Sequence, residues 1–143
     1  MMTPAKRCVL DTSVLIAGVR SLPGELAISA VSVAELHFGV LKAPTEAARA
    51  ERLRLLTDVE RRFDALPVDD AVAASYGAVA AAVVRAGRQP RARSMDLLIA
   101  ATAHAHGAAL YTYNVDDFRG LEGLVQVWGV GRDDPRQPVQ EDR

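Results

Sequence analysis

The chain has 143 residues, half of them hydrophobic, with 17 Lys and Arg against 18 Asp and Glu and a formal net charge of -1. That length suggests one domain, able to bury about 70% of its unfolded surface without staples, and the apolar fraction excludes intrinsic disorder. The charge balance excludes a bulk polyanion binder, though not a local basic patch, and a lone cysteine, Cys8, excludes an internal disulfide framework.

Residues 7–11 read as a first strand, because the apolar run Cys8-Val9-Leu10 stops at a carboxylate, Asp11. Asp11 also interrupts any signal-like segment, and no apolar run approaches the roughly 20 residues of a membrane span. The expectation is therefore a cytoplasmic protein with no membrane partner. Thr12 and Ser13 open a turn into a short helix over about 13–19, and Pro23-Gly24 punctuates the loop that follows. Residues 26–29 form a second apolar run. A helix is expected over 32–41, with Ser32 as N-cap, Glu35 three positions on, and Pro44 beyond its end.

Thr45 caps a charged helix over about 46–63. Leu53, Leu56, Val59 and Phe63 mark one stripe of it, and Arg49, Arg52, Arg54 and Arg61 the other. Residues 65–68 read as a third strand. Asp69 or Asp70 then caps an Ala/Val-rich helix to about 86, and 87–93 is a loop. Ser94 is the expected cap of a helix to about 105 that is apolar nearly all round and hence buried. Strands are expected over 108–112 and 124–128. The polar segment from Gly131, with two prolines, is expected to be a mobile tail, so the domain is drawn as 1–130 and the tail as 131–143. Strands alternating with helices imply a three-layer α/β/α domain with a central parallel sheet and right-handed crossovers.

Asp11 falls at the carboxyl end of a central strand, where open α/β sheets place their ligands. It suits either a metal site or the cap of the short helix. Glu35 taken alone favours a Ser-x-x-Glu capping box with Ser32 over a metal site. Asp96 stands in the first turn of the buried helix, where the helix dipole alone would favour a carboxylate. Thr112-Tyr113-Asn114-Val115-Asp116-Asp117 follows the fourth strand with ordinary turn residues, and one of the two adjacent aspartates is expected to face solvent. Arg85, Arg88, Arg91 and Arg93 lead into Asp96. They are either a solvated loop or the rim along which a phosphate backbone passes.

His104 and His106 do not share a helix face, His37 stands alone, and no Ser/His/Asp, Cys/His or Gly-rich phosphate motif is present. Carboxylates that converge repel one another unless a cation joins them. A set of oxygen ligands without His or Cys suits Mg²⁺ or Mn²⁺ and in-line phosphoryl displacement.

Four blocks carry a family resemblance: Leu10-Asp11-Thr12-Ser13-Val14-Leu15-Ile16; Ser32-Val33-Ala34-Glu35-Leu36 with Gly39-Val40; Asp96-Leu97-Leu98-Ile99-Ala100-Ala101-Thr102-Ala103; and Thr112-Tyr113-Asn114 with Asp117-Phe118. In this order and spacing the chain resembles PIN-domain ribonucleases of the VapC type, the toxins of bacterial toxin–antitoxin pairs. The resemblance implies an RNA-cleaving toxin that inhibits translation, uses Mg²⁺ or Mn²⁺, forms a homodimer and is blocked by a small VapB-type antitoxin. It matches Asp11, Glu35 and Asp96 to the acidic metal positions, and Ser13 and Thr112 to positions that organise them. The variable fourth position falls on Asn114, a weaker ligand for a hard cation, with Asp116 near enough to compensate. Arg88, Arg91 and Arg93 would guide the RNA.

The alternative is a non-catalytic PIN-like module that binds RNA or a partner. An aspartyl phosphoryl acceptor fits less well: a dehalogenase-type phosphatase needs a second aspartate where Ser13 stands, and a receiver needs an acidic pair that is missing.

Overall fold

Four short strands carry the centre of the fold: β1 (Arg7–Leu10), β2 (Glu25–Ala27), β3 (Ala109–Thr112) and β4 (Val127–Val130). They belong to a computed structural model that describes residues 7–18, 21–131 and 138–139. β1 lies between β2 and β3, β4 lies beyond β3, and all these pairings are parallel. β5 (Pro138–Val139) adds an antiparallel edge beside β4. The expectation of a mobile tail falls mostly on 132–137 and 140–143, outside the described residues. The register sets Leu10 against Tyr111, so β1 and β3 end side by side.

Strand alternation sorts the core into two layers. Five helices supply the covering: α1 (Thr12–Ala17), α2 (Ala30–Leu41), α3 (Glu46–Arg62), α4 (Asp70–Arg85) and α5 (Ser94–Ala105). Val9 and Leu110 join Val79 and Val83 of α4 and Ile99 and Ala103 of α5. Cys8, Leu10, Ala109 and Tyr111 join Leu15 of α1, Leu36 of α2, and Leu56 and Val59 of α3. The result is the expected three-layer α/β/α arrangement. α5 is buried through Leu97, Ile99, Ala100, Ala101 and Ala103, and His104 Nδ1 lies 2.8 Å from Ser75 Oγ, pinning α5 to α4. Among the described residues no helix is long and apolar enough to cross a membrane.

Four local expectations are corrected. α2 starts three residues earlier than expected: Ser29, not Ser32, is its cap and accepts from Val31 N–H at 2.9 Å. The cause is upstream. Ala30 N–H donates to Leu66 O, and Leu66 N–H donates to Ile28 O, which holds the chain extended through Ile28 and releases it into the helix at Ala30. Residues 65–68 form only the isolated bridge of Leu66 with Ser29, because Pro67 has no N–H with which to extend a ladder. The strand expected at 124–128 runs at Val127–Val130 instead, since Leu124 and Val125 N–H both close a turn onto Leu121 O. Ser94 does not cap α5. The helix grows directly out of a 3-10 turn at Pro90–Arg93, and the Ser94 hydroxyl donates back to Arg91 O.

Candidate active site

Asp11 leaves the end of β1 at the N-cap position of α1, yet its side chain makes no cap hydrogen bond. Its Oδ2 accepts instead from Ser13 Oγ at 2.8 Å and from Thr112 Oγ1 at 2.8 Å. Asp11 is 5% exposed, and two hydroxyl donors offset part of the cost of burying its carboxylate. Thr112 reaches it because β1 and β3 end together. Thr112 Oγ1 also accepts from Asn114 N–H at 2.9 Å, which ties the following turn to the same point.

Glu35 takes no part in a capping box. It lies in the second turn of α2, and Thr12 Oγ1 donates to its Oε1 at 2.6 Å. Thr12 Oγ1 also lies 2.8 Å from Ser32 Oγ. Ser32 and Glu35 are one helical turn apart and therefore share the face of α2 that looks at α1. The earlier start of α2 is what places both there.

Asp96 stands in the first turn of α5. The dipole favours the charged form and would lower its pKa. The carboxyl is instead raised from 3.8 to about 6, first by burial, then by the charges of Asp11, Asp117 and Glu35, with Arg93 opposing. A neighbouring 3-10 turn, Val115–Phe118, presents Asp117, whose Oδ1 accepts from Arg93 Nη1 at 2.7 Å. The same guanidinium nitrogen is 3.9 Å from Asp96 Oδ2.

These residues line one cleft of about 810 Å³: Asp11, Glu35, Asp96, Asn114 and Asp117, with Lys42 and Arg52 also in its wall. Asp116 is exposed, does not line the cleft, and offers Arg88 its backbone carbonyl at 3.2 Å. Arg88 also donates to Arg119 O at 2.9 Å, so it closes the 3-10 turn. Arg91 is exposed. Sequence reasoning passed over Lys42, Arg52 and the role of Thr12, and left Asp117 open beside Asn114 and Asp116 as the fourth ligand. Thr12 looked like a turn opener, and Asp117 was hidden behind an identical neighbour; a 3-10 spacing from Asn114 would have favoured it.

Among the described residues no three Asp, Glu, His or Cys side chains, as they stand, meet closely enough to hold one ion. The donor chemistry nevertheless fits a hard divalent cation. Four carboxylates and an amide line the cleft, and Mg²⁺ keeps several waters and takes only one or two carboxylates directly.

A PIN domain model matches residues 8–124. The chain is 37% identical to Ribonuclease VapC5 of Mycobacterium tuberculosis, over 89% of this chain and 96% of that protein. It is 32% identical to Ribonuclease VapC1 of Rickettsia felis, over 81% and 91% respectively. A solved member of the VapBC family of toxin–antitoxin systems, VapBC-5 from Mycobacterium tuberculosis, superposes with a TM-score of 0.75 at 37% identity, covering 87% of this chain and 97% of its own. With the matched segment running from β1 past the Asp117 turn, the chain belongs to the PIN-domain family, in its VapC branch.

Proposed function

We propose that this protein is a metal-dependent endoribonuclease and the toxin of a type II toxin–antitoxin pair, cutting cellular RNA in the cytoplasm so that translation stops. The observation that supports this most is electrostatic. Burial first, and then the charges of Asp11, Asp117 and Glu35, raise the Asp96 pKa to about 6. Carboxylates from β1, α2, α5 and the turn after β3 are held in mutual repulsion, which a divalent cation would relieve.

Asp11, Glu35 and Asp96 would hold Mg²⁺ or Mn²⁺, with Asn114 as a weaker neutral donor. Bound there, the ion would activate water for in-line attack at phosphorus and stabilise the departing oxygen. The chain's own part is orientation. Ser13 and Thr112 fix the Asp11 carboxylate, and Thr12 fixes that of Glu35. Lys42, Arg52 and the exposed Arg91 offer charge to the phosphates on either side of the cut. A VapB-type antitoxin as inhibitor, supported by the similarity to a VapC ribonuclease and to a solved VapBC toxin–antitoxin member, and a second copy of the chain as dimer partner, which the family resemblance implies, complete the reading.

The test is cleavage of total cellular RNA with Mg²⁺ or Mn²⁺, with the cut ends mapped. The parent chain should cut, and Asp11→Asn should lose at least a hundredfold in rate while keeping its fold. If Asp11→Asn cuts at the parent rate, the site is wrong. If the parent neither cuts RNA nor gains thermal stability from either metal, the protein is a binding module, a reading that the open spacing of the carboxylates would also suit.

A further inference from the structure

Arg93 was expected to greet RNA at the rim, but its guanidinium is turned inward. One nitrogen, Nη1, is 2.7 Å from Asp117 Oδ1 and 3.9 Å from Asp96 Oδ2. Both carboxylates are about one-third exposed, as is Arg93; Asp96 and Asp117 line the cleft, and Arg93 backs them from outside its lining. The turn that carries Asp117 is held from below by Arg88, through the carbonyls of Asp116 and Arg119. Asp117 is therefore presented to Arg93 by a braced backbone.

We propose that Arg93 is a built-in cation that takes the place of a second metal ion, so that the cleft binds one divalent ion and not two. This rests on the reading of the cleft as a divalent-cation site. Asp11 and Glu35 are oriented by hydroxyl groups, which add no positive charge. Toward Asn114 and Asp117 the balance differs. Asn114 is neutral, and Asp117 already carries a guanidinium. An ion seeking Asp117 would approach that positive charge to within a few ångströms and would find Asp117 already committed, a neutral amide, and Asp96, which lies 3.9 Å from the same guanidinium nitrogen. Lys42 and Arg52 line the same cleft, so with Arg93 its four carboxylates have three side-chain cations about them, and a single divalent ion already more than offsets the one negative charge that remains. A second divalent ion beside Arg93 would add two positive charges where no negative charge is left to meet them. Arg93 is thus a positioning residue: it holds Asp117 and sets how many cations the acidic cluster accepts.

The experiment is calorimetric titration of the full chain with Mn²⁺, which reads stoichiometry and affinity without RNA. The parent should bind one ion. Arg93→Gln should bind two, with the first site tightened roughly tenfold by removal of a nearby positive charge. Arg93→Lys keeps the charge and should stay at one, and Asp117→Asn added to Arg93→Gln should return the count to one. Two ions in the parent, or one ion of parent affinity in Arg93→Gln, overturns the inference while leaving the nuclease reading intact. No Mn²⁺ binding in the parent removes the metal-site reading itself, and the inference with it.

Discussion

Thr12 shows how one hydroxyl can govern a carboxylate twenty-three positions away. Its Oγ1 donates to Glu35 at 2.6 Å, a short bond because the acceptor is charged. Thr12→Val keeps the shape of the side chain and deletes the donor. Partners that orient ligands typically contribute 10–100-fold to metal affinity. We expect Thr12→Val to weaken Mn²⁺ binding by about that factor, measured calorimetrically, with the circular dichroism spectrum unchanged; unchanged affinity would show that Glu35 needs no such support. Asp96 makes a prediction of the opposite sign for stability. Its folded pKa, about 6, lies above the ordinary 3.8. The protonated form is favoured in the fold, so the group's contribution to stability is full below about pH 3.8 and is lost as pH rises through about 6. With Asp96 31% exposed, the effect is discounted for solvent screening to on the order of 1–2 kcal/mol. In chelator, Asp96→Asn should therefore be more stable than the parent by that amount at pH 7.5, and the gain should fade toward pH 4. Denaturant melts across this range decide it, and a gain that ignores pH would contradict the electrostatic account.

At the scale of the element, α2 teaches the most. The Ser32-x-x-Glu35 spacing obeys the local rule for a helix start, yet the helix starts at Ala30, because a two-bond bridge to Leu66 settles where the extended chain ends. That bridge joins segments thirty-seven positions apart, and no window of local sequence contains it. The displacement has a chemical consequence: it moves Glu35 from a cap, facing its own backbone, to a helix face looking at Thr12. α3, with its apolar stripe, and α5, with its nearly continuous apolar run, were legible within about a residue, because both patterns are local. β4 and the 65–68 segment were not, because a turn onto Leu121 and the missing N–H of Pro67 decided them. The cap assignment can be checked directly. Ser29 is fully buried and satisfies Val31 N–H. Ser29→Ala should cost about 1–2 kcal/mol, seen as a fall in Tm of roughly 3–8 °C. A loss under about 0.3 kcal/mol would mean that the bridge to Leu66 holds the helix start unaided.

Across the whole molecule, the order of the strands explains why the acidic positions were readable at all. A parallel sheet returns every strand end to one edge, so Asp11 after β1 and the turn after β3 had to meet, and α5 passes the same edge on its way back. What the sequence could not show was which neighbour of Asn114 faces inward, or that Arg93 turns from solvent to Asp117; both are set by side-chain packing across the cleft. The surface around that cleft carries a further consequence. Ile16, Phe38 and Leu41 are 65%, 62% and 70% exposed on α1 and α2, and Ile16 and Phe38 line the cleft itself. Large apolar groups so placed beside a charged site suit a partner that covers them. RNA has little use for an aliphatic side chain outside the cleft, whereas a protein partner gains from burying it. Leu41 is such a residue, which makes it the discriminating position. Full burial of a leucine is worth about 1.5–3 kcal/mol, so Leu41→Gln should weaken binding of the cognate VapB-type antitoxin by tenfold or more. RNA cleavage by the antitoxin-free chain should stay within about twofold of the parent. Equal loss of both activities would place Leu41 on the RNA path, and undiminished antitoxin binding would mean that the inhibitor approaches the cleft from another side.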